Sequence, residues 1–139
     1  MSGAANQAIV RRFLTEVWNA RDLAVADELC APAYARDERR ALAALTRAFP
    51  DLWLTIDTQL TGGEAVMTSA TLRGTHEGPL VLSFLPRGGL APTDARVAVR
   101  AVFVHRVVGS QIQQEGSWSV VDWLGLLLQL GAYPAPPVG

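Results

Sequence analysis

Residues 96–121 read RVAVRAVFVHRVVGSQIQQEGSWSVV, and this stretch carries the strongest β-sheet signal of the chain. Two β-branched runs, 96–108 and 111–121, are joined by Gly109-Ser110, which suits a two-residue hairpin turn. That turn would place Gln114 opposite His105, where its side chain could fix the tautomer of the imidazole. Gly116 interrupts the second run and predicts a β-bulge.

A second hairpin is predicted before this one. Its first strand begins at Asp51, alternates apolar with polar residues, and carries on its apolar face Leu52, Leu54, Ile56 and Leu60. The turn is Thr61-Gly62-Gly63, and the chain returns as a strand over 64–73. Between the hairpins, 80–85 is expected to form a short strand and 86–92 a loop.

The N-terminal third shows a helical period. Apolar residues recur every three to four positions over 6–19, which predicts an amphipathic helix. Asp22 takes the N-cap position of a second helix, which ends near Cys30 because Pro32 follows. A third helix is expected to start at Asp37 and Glu38 and to end before Pro50. A short apolar helix or turn over 123–130 is expected to close the fold, and the tail from about 134 to be loose.

Helices followed by a mostly antiparallel sheet predict an α+β fold, with three N-terminal helices covering one face of a strongly curved sheet. The chain has 139 residues, of which 50% are hydrophobic and 18% charged. This length is about that of one domain, so we expect a single domain over 1–139.

The composition argues against several classes of function. Twelve basic and 13 acidic residues give a formal net charge of −1, which provides no electrostatic attraction for nucleic acid. No apolar run approaches the roughly 20 residues of a membrane-spanning helix, and the N-terminus lacks a secretory pattern, so a cytoplasmic protein is expected. One cysteine and two histidines cannot build a Cys/His zinc site, so no metal is expected.

Four short segments carry a resemblance to a known family. They are VWNARDL at 17–23, AFPDL at 48–52, GTHEG at 74–78, and WSVVD at 118–122 followed by LGLLLQLG at 124–131. In this order and context they resemble the SnoaL-like polyketide cyclases, within the ketosteroid-isomerase-like, nuclear-transport-factor-like superfamily. The resemblance implies an α+β cone that encloses a deep apolar pocket, a homodimer, and no metal or organic cofactor.

The resemblance also implies an activity. Family members close rings on polyketide esters by an intramolecular aldol reaction, with a buried carboxylate as acid and base and a histidine nearby. We therefore expect a cofactor-free cyclase or isomerase of bacterial secondary metabolism that acts on an apolar, polyketide-like small molecule.

Two departures from the family pattern concern the acid–base groups. Ser119 follows Trp118 where family members often carry an acid, and Asp37 stands where they often carry a histidine. A further family histidine corresponds to Ala101, Phe103 or His105, of which only His105 can exchange a proton.

Asp122 and His105 are the candidate catalytic residues. Asp122 lies between Val121 and Trp123, where a buried carboxyl could act as an acid, or it could cap the last helix. His105 could bond a substrate carbonyl, or it could be a structural histidine bonded to Gln114 or to backbone. The candidate ligand-binding residues are Trp18, Tyr34, Trp53, Phe84, Phe103, Gln114, Trp118 and Ser119. His76 is expected to be a solvent-facing loop residue.

Two other functions fit the same fold. In an epoxide-opening enzyme, Asp122 and Arg100 would act with Asp57 or Asp37 on a water molecule. In a non-catalytic protein, the pocket would bind a small molecule without turnover, which the departures at Ser119 and Asp37 favour. The sequence leaves both alternatives open.

Overall fold

The computed structural model describes residues 2–85 and 87–132. Helix α1 (Gly3–Arg12) runs into a π-helical segment (Phe13–Asn19), and α2 (Leu23–Leu29) and α3 (Pro32–Ala48) follow. The sheet is formed by β1 (Trp53–Gly62), β2 (Ala65–Thr75), β3 (Arg96–Val108) and β4 (Gln111–Val121), and helix α4 spans Trp123–Gln129. The predicted tail from about 134 lies outside the described residues.

The four strands form one antiparallel, curled sheet in the order β1-β2-β3-β4. Its inner face shows the expected alternation: odd-numbered residues of β3 from Val97 to Val107 are buried, whereas even-numbered ones point outward. Val10, Phe13 and Leu14 from the N-terminal helical region are fully buried in the same core. The α+β prediction is therefore confirmed.

The second hairpin turn lies where the sequence predicts it, whereas the first is formed by Gly63 and Glu64, because Thr61 and Gly62 still belong to β1. Gly63 has φ 57° at the first turn, and Gly109 and Ser110 have φ 58° and 65° at the second. Two successive residues with positive φ match the twist of the flanking strands. The register at the second turn, Val108 with Gln111, follows directly from this geometry.

Helix α3 begins at Pro32, not at Asp37 and Glu38 as expected. Proline suits the first turn of a helix because its fixed φ is already helical and its missing N–H has no acceptor there. Pro32, which follows the end of α2 closely, thus starts α3. As a consequence, Tyr34 and Glu38 lie one turn apart on one continuous helix.

A bulge at Asp57 shifts the register of β1 against β2 between Ile56 and Thr58. Leu54 is buried as expected, but Leu60 is 63% exposed, so its predicted place on the buried face was wrong. One extra residue reverses the facing of everything after it. Gln59 takes the inner position instead, and its Nε2 donates to Thr68 Oγ1 at 3.0 Å.

The second bulge, predicted from Gly116, is present in β4, and it corrects the position of Gln114. Arg106 pairs with Gln113, but Val104 already pairs with Trp118, so residues 114–117 lie outside the regular ladder opposite His105. Gly116 has φ 85°. The predicted pairing of Gln114 with His105 was wrong because the bulge begins just before Gln114.

The segment between β2 and β3 contains no regular strand in its described residues, so the short strand expected over 80–85 is absent there. Leu80 forms a single bridge with Leu90. His76 is fully buried, not solvent-facing as expected: its Nδ1 accepts from the Thr93 N–H at 3.2 Å, and its backbone pairs with Asp94 and Ala95. These bonds fix the segment that passes over the core.

Among the described helices, none combines the length and apolar character needed to cross a membrane.

Candidate functional site

A cavity of about 390 Å³ lies between α3 and the β3–β4 half of the sheet. Leucines from α3, from β2 and from the 80–82 segment give it a mainly apolar wall. Its acidic side chains are Asp37 and Glu38, and no Lys, Arg or His belongs to its described lining. A concave apolar site with a few polar groups is typical of small-molecule binding.

Aromatic rings form one end of the cavity. Trp18 meets Phe103 edge-on, with ring centroids 5.6 Å apart. Tyr34 packs edge-on against His105 at 5.9 Å, and Phe103 stacks on the same imidazole at 5.8 Å. These contacts hold the rings in fixed orientations, so the cavity end is preformed.

Glu38 is the functional candidate that the sequence interpretation missed. It lines the cavity, is partly buried, and its Oε1 accepts a hydrogen bond from the Tyr34 hydroxyl at 3.2 Å. The missed signal is its position, because Glu38 is four residues from both Tyr34 and Leu42 on the inward face of α3. A carboxylate in the apolar stripe of an amphipathic helix is unusual and merits a functional interpretation.

The surroundings of Glu38 act on its proton affinity in opposite directions. Burial raises the pKa of Glu38, and the nearby charge of Asp37 adds to the rise. The Tyr34 hydroxyl and the Trp18 indole counteract it, so both lower that pKa. A carboxyl group whose pKa is raised by burial keeps its proton to higher pH and is a stronger base once ionised, which suits acid–base chemistry.

A hydrogen bond crosses the exposed edge of the cavity. Gln114 Nε2 donates to Asp37 Oδ2, which links the bulge of β4 to α3. The bulge itself is held by Ser117, whose Oγ accepts from the Arg106 N–H at 2.9 Å and donates to the Gln113 carbonyl. The bulge therefore shapes the edge of the cavity.

The family model for SnoaL-like polyketide cyclases matches residues 8–130. The chain belongs to the SnoaL-like polyketide cyclase family. The resemblance carried by the four sequence segments is thereby confirmed. No match is found among curated proteins.

Solved structures show the same SnoaL-like fold. TsrD from Streptomyces laurentii has a TM-score of 0.80 at 24% identity, covering 96% of this chain and 99% of that chain. AclR from Streptomyces galilaeus, described as a candidate hydroxylase, has a TM-score of 0.78 at 24% identity, covering 98% and 91%. A candidate SnoaL-like polyketide cyclase from Jannaschia sp. CCS1 has a TM-score of 0.80 at 22% identity, covering 95% of both chains. At these identities the likeness shows the fold alone.

Six of the predicted ligand-binding residues lie around the cavity of this SnoaL-like chain: Trp18, Tyr34, Phe103, Gln114, Trp118 and Ser119. Ser119 pairs with the inward-facing Phe103, which turns its hydroxyl to the cavity side of β4. Trp53 and Phe84 are both 55% exposed and lie outside the described cavity lining. A binding role for each of the eight stays a prediction.

His105 lies beneath the cavity lining. It is 1% exposed and packs among Phe13, Tyr34 and Phe103. Burial lowers the pKa of His105 to about 4, so its imidazole is neutral at pH 7. Its Nδ1 has no hydrogen-bond partner among the described residues. A catalytic role for His105 stays a prediction.

Asp122 is exposed and caps α4. Its Oδ1 accepts from the Gly125 N–H at 2.8 Å, which confirms the capping alternative. Of the groups in the epoxide-opening alternative, only Asp37 belongs to the described cavity lining. Asp57 instead lies on the exposed side of the sheet, where its Oδ2 accepts a hydrogen bond from the Thr71 hydroxyl at 2.8 Å. A catalytic role for Asp122 also stays a prediction.

Proposed function

We propose that the protein is a cofactor-free cyclase of bacterial secondary metabolism that closes a ring in a polyketide-like small molecule, with Glu38 as the proton-transferring group. The observation that carries the proposal is the carboxyl of Glu38, which lines a mainly apolar cavity beside the Tyr34 hydroxyl. Membership of the SnoaL-like polyketide cyclase family supports the reaction class.

The proposed reaction is an intramolecular aldol step. Ionised Glu38 takes a proton from the carbon next to one substrate carbonyl, and the electron pair of that C–H bond forms an enolate. The enolate carbon attacks a second carbonyl of the same molecule, which forms the ring bond and leaves an alkoxide. Protonated Glu38 then returns its proton to the alkoxide. One carboxyl group thus performs both transfers, and the step needs no metal or organic cofactor.

The cavity wall supplies the second part of catalysis. Ring closure requires a flexible chain to hold its two reacting carbons close together, and a preformed apolar cavity favours such folded conformers. Trp18 and Phe103 offer aromatic surface for this purpose, and Ser119 and Gln114 offer hydrogen bonds to substrate oxygens. The described lining carries two acidic side chains and no Lys, Arg or His. An uncharged substrate therefore fits better than an anionic one.

This proposal assigns proton transfer to Glu38 in place of His105 and Asp122. His105 supports Tyr34 and Phe103 from below, and Asp122 holds the start of α4. Epoxide opening receives less support, because the cavity lining of the described chain offers no arginine to polarise a bound water or epoxide. Binding without turnover remains the second candidate, which the hydroxyl of Ser119 favours because it replaces an acid of the family pattern.

The outer face of the sheet supports the homodimer implied by the family resemblance. Leu60, Met67, Val104 and Trp118 lie side by side across all four strands. Leu60 is 63% exposed, Met67 45% and Trp118 55%. A continuous apolar row of this kind commonly marks an interface. We propose that two copies pair through it.

Light scattering should give twice the monomer mass for wild type and the monomer mass for Met67→Lys. A monomeric wild type contradicts the pairing.

The experiment that tests the function uses the host in which the gene is present. The gene is deleted and restored as wild type, Glu38→Gln or Asp37→Asn, and the small-molecule products are compared by mass spectrometry. Asp37→Asn is the matched control because it removes the neighbouring carboxylate. We expect wild type and Asp37→Asn to restore the cyclised product and Glu38→Gln to leave the open precursor. Full restoration of the product by Glu38→Gln would contradict proton transfer by Glu38 and favour the alternative in which the protein binds a small molecule without turnover.

A further inference from the structure

The indole nitrogen of Trp18 is buried without a hydrogen-bond partner. The side chain is 5% exposed, and Nε1 bonds to no acceptor among the described residues. Folded proteins rarely leave a buried indole N–H unpaired, because the group has lost its hydrogen bond to water. An unpaired N–H beside a cavity is therefore available as a hydrogen-bond donor to a group in that cavity.

The backbone that carries Trp18 is itself unusual. Trp18 lies in the π-helical segment Phe13–Asn19, and short π-helical stretches are frequent at functional sites. The end of the segment is fixed to the sheet: Asn19 Nδ2 donates to the Leu54 carbonyl, and the Leu54 N–H donates to Asn19 Oδ1, both at 2.8 Å. Phe103 then holds the indole edge-on. Trp18 is thus anchored from its backbone and from its ring.

Glu38 is an acceptor that lines the same cavity as this indole. Its carboxyl receives the Tyr34 hydroxyl from the same helix, and the Trp18 indole favours its ionised form from the N-terminal helical segment. Among the described residues, the charge of Asp37 also acts on this carboxyl, and His105 lies behind Tyr34 as a neutral ring. No cation among the described residues lines the cavity to stabilise a carboxylate there.

We propose that Trp18 is a positioning residue for Glu38, whose indole N–H bonds the carboxylate when Glu38 is ionised and releases it when Glu38 carries the proton. This inference rests on the proposed function of Glu38. Tyr34 alone supplies one donor, whereas a carboxylate that has just lost its proton can accept several. Trp18 supplies the second donor without introducing a permanent charge into the apolar cavity. The carboxylate is thereby held in one orientation when it acts as a base.

The test is a titration of the Glu38 carboxyl carbon by ¹³C NMR in substrate-free protein. Trp18→Phe keeps an aromatic ring but removes the N–H, so the titration midpoint should move upward by about half a pH unit or more. Trp123→Phe is the matched control, because Trp123 also lines the cavity and has no such link to Glu38. Its midpoint should equal that of wild type. An unchanged or lowered midpoint in Trp18→Phe overturns the proposal.

A second variant keeps the test decisive if Trp18→Phe does not fold. Benzothienylalanine at position 18 replaces the N–H by sulfur in a ring of the same size, and the same upward shift is expected. In the turnover assay, the acidic limb of the pH–rate profile should move in the same direction. Activity retained by Glu38→Gln would refute the proposed function, whereas the substrate-free titration tests Trp18 by itself.

Discussion

The Tyr34 hydroxyl donates a hydrogen bond to Glu38 Oε1 at 3.2 Å, one turn further along α3. Tyr34 is held at its ring by Phe13 at 5.9 Å and by His105 at 5.9 Å. The core therefore fixes the donor, and the donor fixes the carboxyl group that faces the cavity. This relationship connects the packing of the fold to the chemistry proposed for it.

Removing the Tyr34 hydroxyl should reduce the ionised fraction of Glu38 that can act as a base. Since the hydroxyl favours the ionised carboxylate, Tyr34→Phe should raise the pKa of Glu38 and lower the turnover rate. We also expect a loss of about 1 kcal/mol in the free energy of unfolding, the usual effect of one hydrogen bond. A double-mutant cycle with Glu38→Gln checks this, because the two losses should not add. Fully additive losses would show that the hydroxyl acts elsewhere.

The cap of α4 predicts a stability effect at Asp122. Asp122→Ala should lower the free energy of unfolding by about 1 kcal/mol in urea titrations, because the Gly125 N–H loses its acceptor. Asp22→Ala is the control: Asp22 occupies the N-cap of α2, but its side chain makes no capping bond. Asp22→Ala should lower the free energy of unfolding by clearly less than Asp122→Ala does. Equal losses would remove the capping explanation, and a loss of turnover without a loss of stability would restore Asp122 as a catalytic candidate.

Buried His105 predicts that the fold weakens in mild acid. Burial lowers its pKa to about 4, whereas unfolded histidine titrates near 6.5 (about the model-peptide value). Between these values the unfolded chain binds the extra proton, so stability present above about pH 6.5 is lost as the pH falls toward about 4. The contribution of His105 alone should lower the free energy of unfolding, measured by urea titration, by about 2 kcal/mol between pH 7.5 and pH 5.

A variant isolates the contribution of His105 to this pH dependence. The pKa of His76 is also lowered by burial and acts in the same direction, whereas the raised pKa of Glu38 acts in the opposite one. His105→Leu should therefore flatten the profile between pH 7.5 and pH 5 without abolishing it. An unaltered slope in that variant would mean that His105 is not the titrating group.

The bulge of β4 depends on glycine at position 116. Its φ is 85°, and an added Cβ would lie 2.7 Å from Arg106 Cδ. Gly116→Ala should therefore lower the free energy of unfolding by about 1–3 kcal/mol. Gly62→Ala is the control, since nothing lies within 4 Å of its Cβ position. Chemical denaturation compares them, and similar small losses in both would contradict a strained bulge.

Local patterns in the sequence were sufficient for most of the fold. Gly109-Ser110 determined the turn and the register beside it, and the apolar alternation of β3 determined its buried face. One error came from a single extra residue. The bulge at Asp57 moved Leu60 to the surface, because a period of two cannot reveal where one residue is inserted.

The site was harder to predict because it depends on contacts between distant segments. Gln114 faces Asp37 across 77 positions of sequence, not His105, and only the full extent of the bulge decides this. Glu38 escaped notice because α3 was expected to begin at that residue, where an acid would simply favour the helix N-terminus. With the start of α3 at Pro32, the same residue becomes an inward-facing carboxyl.

The most direct test of the central claim is turnover by purified protein. The precursor that accumulates in the deletion strain is isolated and incubated with wild type, Glu38→Gln and Asp37→Asn, and the initial rates of ring closure are compared. A positioned acid–base group contributes roughly 10²- to 10⁴-fold, so Glu38→Gln should be slower by about that factor. Asp37→Asn should stay within a few-fold of wild type. A rate for Glu38→Gln equal to wild type would contradict the assignment of Glu38 as the proton-transferring group.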